Sequence, residues 1–188
     1  MSDLILNLGC GENKLEGCVN VDCEKATNPD LVLDFRREPL PYEDGAVDEV
    51  WMIHCLEHIE FPFWEGIFKE VARVLKPNGI YLLAYPEFSE CAKRFISNTG
   101  GQRSFWRATL YGRQLYPSDY HVCPVFSPDL KEMLENHKFY RVKFEPESER
   151  EPYNTILVAR RDPDFITRES ILTKELRLVN TSGHADTA

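Results

Sequence analysis

Two kinds of chemistry are written into the first third of the chain. A short apolar run, Leu4 to Leu8, ends in Gly9-Cys10-Gly11, and a second, Val19 to Val21, ends in Asp22. An apolar strand followed by glycines lets the backbone bend sharply and approach a ligand with no Cβ in the way. A strand ending in a carboxylate offers two acceptors, matched to the paired hydroxyls of a ribose. Both features fall at the carboxyl ends of strands, where open α/β sheets bind ligands. Further on, His54-Cys55-Leu56-Glu57-His58 packs two imidazoles and a carboxylate into one short stretch. Those groups suit proton transfer or metal ligation.

The glycine spacing narrows the ligand. A dinucleotide site asks for a third glycine three residues past the second, where Lys14 stands, and for its acidic residue about 20 residues on, after a full helix. Here Asp22 follows Gly11 too closely for that helix. Parallel strands normally need a crossover of about a dozen residues, so the first crossover is expected to shrink to a turn with Gly17 at a bend. A pyrophosphate wants a long helix N-terminus pointing at it. A phosphate-free cofactor does not, and S-adenosylmethionine is one.

The elements that must position these groups alternate. Strands are predicted at Leu4–Leu8, Val19–Val21, Leu31–Leu33, Val47–Ile53 and Ile80–Tyr85. A helix is predicted over Phe63–Leu75, where apolar residues recur at helical spacing, and is stopped by Pro77 and Gly79. Ser127-Pro128-Asp129 marks another helix start, with the serine as cap. Phe139–Phe144 and Asn154–Ala159 read as an antiparallel pair. Alternation of this kind predicts a mostly parallel sheet with helices on both faces. Residues 87–125 break the pattern: Phe88, Phe95, Phe105, Trp106, Tyr111, Tyr116 and Tyr120 crowd into them. They are either a lid over the site or a helical excursion that buries its own aromatics. Asp162 to Val179 has the apolar spacing of a final helix, and Asn180 to Ala188 the composition of a disordered tail. The expected division is therefore 1–161 as the domain, with 87–125 inserted, and 162–188 as helix and tail.

With these residues placed, the sequence resembles the class I S-adenosylmethionine-dependent methyltransferases. Leu6-Asn7-Leu8-Gly9-Cys10-Gly11 is similar to their glycine-rich first motif, and Asn20-Val21-Asp22 to the acidic end of their second strand. Leu33-Asp34-Phe35 resembles the third-strand end, and Pro39 to Asp48 the loop into strand four. His54-Cys55-Leu56-Glu57-His58-Ile59 resembles the end of strand four, and Leu75-Lys76-Pro77-Asn78-Gly79-Ile80 the turn into strand five. The likeness is strong over residues 4 to 86 and looser over 126 to 160. It implies a Rossmann-like seven-stranded sheet closed by a hairpin. It also implies a cofactor cradle made by Leu8, Gly9, Cys10, Gly11, Asn13, Asp22, Cys23, Asp34, Phe35 and His54. In that cradle the glycine-loop N–H groups face the methionine carboxylate, Asp22 the ribose, Asp34 the adenine amine, and Phe35 the ring. His54, Glu57 and His58 become candidates for proton transfer, and Tyr111, Tyr116 and His121 candidates for contact with the acceptor. Two positions depart from the family: Asn7 stands where an acid is common and Asn13 where glycine is common.

Other classes are disfavoured. His54 to His58 also fits HxxEH, an inverted zinc-peptidase pattern. That chemistry needs both histidines one turn apart on a single helix. Here a strand runs straight into His54 and Pro62 follows closely, so no metal is expected and a zinc hydrolase is a distant alternative. A cofactor-binding regulator or partner protein without turnover is the nearer one. The Pro-Pro-aromatic motif of DNA amino-methyltransferases and the Pro-Cys pair of cytosine-C5 enzymes are missing after the fourth strand. A net charge of −9 argues against a nonspecific grip on a phosphate backbone. No apolar run approaches the roughly 18 residues of a membrane span. Six irregularly spaced cysteines read as reduced thiols of a cytoplasmic protein. The expected acceptor is a small molecule or an exposed group.

Overall fold

A computed structural model describes residues 3–115, 117–149 and 153–164. Its frame is a seven-stranded sheet in the order β3-β2-β1-β4-β5-β7-β6. The strands are β1 (Ile5–Leu8), β2 (Val19–Asp22), β3 (Leu31–Val32), β4 (Val47–Ile53), β5 (Leu75–Pro86), β6 (Phe139–Pro146) and β7 (Asn154–Arg161). The first five run parallel, and β7 pairs antiparallel with both β5 and β6. This is the Rossmann-like sheet with its closing hairpin. Between Gly9 and Cys18 the chain makes only turns, so the short spacing ahead of Asp22 does remove the first crossover helix. The link from β2 to β3 is a single 3-10 turn, Lys25–Thr27.

Helix α1 (Phe61–Val74) forms because Trp64, Ile67, Phe68, Val71 and Val74 recur on one stripe, and all five are buried. It starts earlier than the apolar period suggested, since Pro62 occupies its first turn, where a missing N–H costs nothing. Its partner on the sheet is the row Val50, Met52, Tyr81, Leu83 and Tyr85, all buried. The Phe68 and Tyr81 rings lie 6.2 Å apart, edge to face. Helix α4 (Ser127–Asn136) joins the same layer through Leu130 and Leu134, and His137 at its end meets Phe68.

The expectation of helices on both faces is met on this face by α1 and α4. On the other, Ile5, Trp51, Ile53, Ile80, Leu82, Ile156 and Val158 are half-buried, and none belongs to either packed cluster among the described residues. The remaining helices, α2 (Phe88–Ser97) and α3 (Gly101–Tyr111), come from the aromatic stretch. They bury Cys91, Trp106 and Leu110 against Tyr153, with Phe88, Ala92 and Phe95 beside them. The excursion therefore owns a small core, while Phe105, Tyr111 and Tyr120 stay exposed. Ser127 does not cap α4 as expected. Its hydroxyl and N–H both go to the Glu87 carboxylate, which supplies the cap from the end of β5. The predicted helix over 162–179 falls mostly outside the described residues. No helix among the described residues is long and apolar enough to cross a membrane.

Phe68 is wholly buried where α1, β5 and α4 meet. Phe68→Ala is expected to cost about 3–5 kcal/mol by lost burial and the cavity left behind. Phe61→Ala, on an exposed ring of the same helix, should change stability by less than about 1 kcal/mol. Urea midpoints of the two variants check this.

Candidate functional site

The carboxyl ends of β1, β2, β4 and β5 all point to one edge of the sheet. At that edge Gly9 has φ +71° and Gly11 φ +50°, values only glycine takes freely. A Cβ on Gly9 would strike the Cys55 Sγ and come within 3.9 Å of the Phe35 ring. The first strand tip thus sits directly against the loop after β4, with Phe35 leaning over it. A Cβ on Gly11 would meet nothing within 4 Å, so this glycine borders open space.

The expected donors of this loop are otherwise employed. Gly9 N–H and Cys10 N–H both go to the Val21 carbonyl, at 2.8 and 3.2 Å. Gly11 N–H goes to Asp22 Oδ2 at 2.8 Å. The expectation that glycine N–H groups face a bound carboxylate is corrected accordingly: without a crossover helix, β2 itself absorbs them. Asp22 is buried, and its Oδ1 accepts from Glu24 N–H. Each of its oxygens retains a lone pair beyond these bonds. Asn13 N–H closes the turn onto the Cys10 carbonyl. Asn7 donates to Asn20 Oδ1 at 2.9 Å and is buried, so the non-acidic residue there braces the first two strands.

Asp34 also differs from expectation. Arg36 grips its carboxylate with two bonds, 2.7 and 2.9 Å, and that guanidinium holds the carboxyl below the usual carboxylate range. Cys23 and Cys55 both feel Asp22 and Arg36, and Cys23 feels Asp34 as well, so these groups lie close together at the strand tips. Burial, aided by Asp22, pushes the Cys10 thiol up to about 11. Burial also drives Cys55 well above its ordinary value. Neither cysteine is a nucleophile near neutral pH.

The chain leaves β4 through His54, which takes φ +49°, a conformation uncommon for a residue with a side chain. This twist turns the imidazole between two acids: Nδ1 lies 3.4 Å from Glu57 Oε1 and Nε2 3.4 Å from Glu147 Oε2. Burial alone would lower the His54 pKa, but the two carboxylates together outweigh it and the net shift is upward. Glu57 and His58 follow in a 3-10 turn, Leu56–His58, not in an α-helix with His54. The two histidines of HxxEH therefore do not share a helical face. What His58 does meet is His121: their rings stand edge to face, 4.7 Å apart. His121 arrives from the excursion because the Glu57 carbonyl accepts Val122 N–H and Cys123 N–H, at 2.8 and 3.2 Å.

Of the sequence-level candidates, His54, Glu57, His58 and His121 come together. Tyr111 is half exposed at the end of α3, and Tyr116 lies outside the described residues. Two participants escaped the sequence reading. Arg36 is unremarkable among surface arginines, and Glu147 sits in an acidic stretch where several glutamates look alike.

The opposed environments of the two histidines are measurable. His54 is raised, so the stability it contributes is complete below the unfolded value of about 6.5 and vanishes as pH climbs through its folded pKa. His121 is lowered, first by burial, so it costs stability as pH falls below about 6.5. NMR titration of the ring protons should find His54 titrating above His121, and Glu147→Gln should bring His54 down.

Comparison with known proteins agrees with this architecture. Residues 19–83 match the family model described as a methyltransferase domain. A search of curated proteins returned no match. Among solved structures, a SAM-dependent methyltransferase from Archaeoglobus fulgidus superposes with a TM-score of 0.62 at 17% identity, covering 85% of this chain and 86% of that one. SAM-dependent methyltransferases from Methanosarcina mazei give 0.55 at 18% identity, over 86% and 94%. The complex of the Haloferax volcanii Trm112 methyltransferase activator with a methyltransferase gives 0.59 at 16% identity, over 86% and 83%. The chain thus carries a methyltransferase-domain match over residues 19–83 and shares its fold with these SAM-dependent methyltransferases.

Proposed function

We propose that the protein transfers the methyl group of S-adenosylmethionine to a small molecule or an exposed group presented over the ends of β4 and β5. The observation that carries this reading is the convergence of Gly9, Asp22, Phe35 and Cys55 at the strand tips, with Gly11 bordering open space beside them. The cofactor supplies a methyl group already activated on sulfonium. The chain has to bind, orient and exclude water, because displacement at that carbon depends on in-line placement of the acceptor. Asp22 offers its spare lone pairs to a ribose diol. Leu8, Cys10, Asn13 and Cys23 form the floor and rim beside it, and Phe35 offers a ring to the adenine. Asp34 reaches the adenine amine once Arg36 shares its carboxylate or swings aside. His54, held between two acids, orients the methionine end. The exposed Tyr111 belongs to the acceptor side. All six cysteines are free, in keeping with a reducing cytoplasm.

One observation favours a second reading. With Asp34 locked by Arg36 and the glycine-loop N–H groups spent inside the fold, the chain could hold its cofactor as a regulator or partner without turnover. The two readings separate by experiment. S-adenosylhomocysteine should bind with micromolar affinity by calorimetry and raise the melting temperature. Asp22→Ala should weaken that binding by roughly 10–100-fold, the worth of hydrogen bonds to a charged group. Label from methyl-tritiated cofactor should then appear in an acceptor pool. Absence of heat and of any thermal shift sinks the methyltransferase reading; binding without transfer across a broad acceptor panel favours the regulator.

A further inference from the structure

We propose that Glu57, His58 and His121 form a site for a divalent first-row transition ion, with zinc as the expected occupant, which clasps the aromatic excursion to the end of β4. This goes beyond the methyltransferase reading and does not require it. Three observations carry it. First, one ligand atom from each residue lies within 4.8 Å of the other two. Tetrahedral zinc with nitrogen and oxygen donors wants about 3.3 Å between ligand atoms, so modest side-chain rotations, drawn in by the ion, close the set. Second, Glu57 is 98% buried and its Oε2 makes no hydrogen bond. An orphaned buried carboxylate oxygen is costly, and a cation is the partner that removes the cost.

Third, the histidines are dressed as metal ligands. His58 Nδ1 lies 3.0 Å from the Tyr120 carbonyl, which fixes that nitrogen as donor and leaves Nε2 with its lone pair. His121 likewise hydrogen-bonds the backbone of Thr109. Backbone carbonyls holding the far nitrogen are the usual outer partners of metal-bound histidine. The donor set, two imidazoles and one carboxylate, is that of three-ligand zinc sites with an open fourth position. The adjoining hollow, lined by Glu57, Thr109, His121 and Cys123 among others, measures about 10 Å³, near the size of a single water. It admits a metal-bound water and excludes an organic ligand. Because His121 belongs to the excursion while Glu57 and His58 follow β4, an ion here ties two distant parts of the chain together.

The test uses the full chain, stripped with chelator and titrated with Co²⁺ as a spectroscopic stand-in and then with Zn²⁺. One equivalent of Co²⁺ should give visible d–d bands of a four- or five-coordinate N/O site, displaced by zinc, and either ion should raise the melting temperature. His121→Gln and His58→Gln should each weaken binding by more than the roughly 10–100-fold that loss of an outer partner costs, and should abolish the metal-induced thermal shift. Folding of each variant is checked by circular dichroism. Lys131→Gln, on the exposed face of α4, is the control and should bind as the wild type does. The proposal is overturned if folded wild-type protein shows no stoichiometric Co²⁺ spectrum and no metal-dependent thermal shift, or if both histidine variants bind as tightly as it does. S-adenosylhomocysteine binding measured on the same samples keeps the two readings apart: intact cofactor binding without metal refutes the clasp alone, and metal binding without cofactor refutes the methyltransferase alone.

Discussion

Burying the Glu57 carboxylate is the constraint from which the organisation of the ligand edge follows. A carboxylate taken out of water has to be compensated by partners close at hand. Here it gathers His54 on one side and faces His58 and His121 on the other. The backbone of the same residue accepts two N–H groups from the returning chain. One residue thus sets both the electrostatics of the strand tips and the landing point of an excursion that begins at the end of β5 and returns some thirty-five residues later. The left-handed backbone of His54 is the local strain this arrangement tolerates, offset by the two acids its ring meets.

The shortened link between the first two strands has consequences of its own at their carboxyl ends. With no crossover helix, the glycine loop folds directly onto β2, and Gly9, Cys10 and Gly11 give their N–H groups to Val21 and Asp22. Anion recognition by helix dipole is thereby lost, which suits a cofactor without phosphate. The same economy leaves one face of the sheet without a described helix. The core consequently lies on the side of α1 and α4, where Phe68, Tyr81, Leu83, Leu130 and Leu134 are wholly buried.

Much was legible in the residues because local rules govern it. Apolar runs bounded by Gly, Pro and Asp located the strands, and helical spacing located α1 and α4, since burial and backbone geometry act over a few residues. The missing crossover helix was also legible, because ten residues between strand ends cannot hold one. Motif order placed Gly9, Gly11, Asp22 and Asp34 at strand tips without reference to contacts.

Tertiary structure alone decided which partner each of these groups took. Arg36 closing on Asp34, Glu147 reaching His54 from β6, and Glu87 displacing Ser127 as the cap of α4 all join residues whose pairing has no local signal. The HxxEH pattern shows the same limit. The sequence already set its two histidines astride a strand end, and a 3-10 turn after a left-handed residue does part them; that His121 meets His58 instead had no local signal. Sequence spacing determines neighbours only where the backbone is regular; at strand ends, the packing of distant segments determines them.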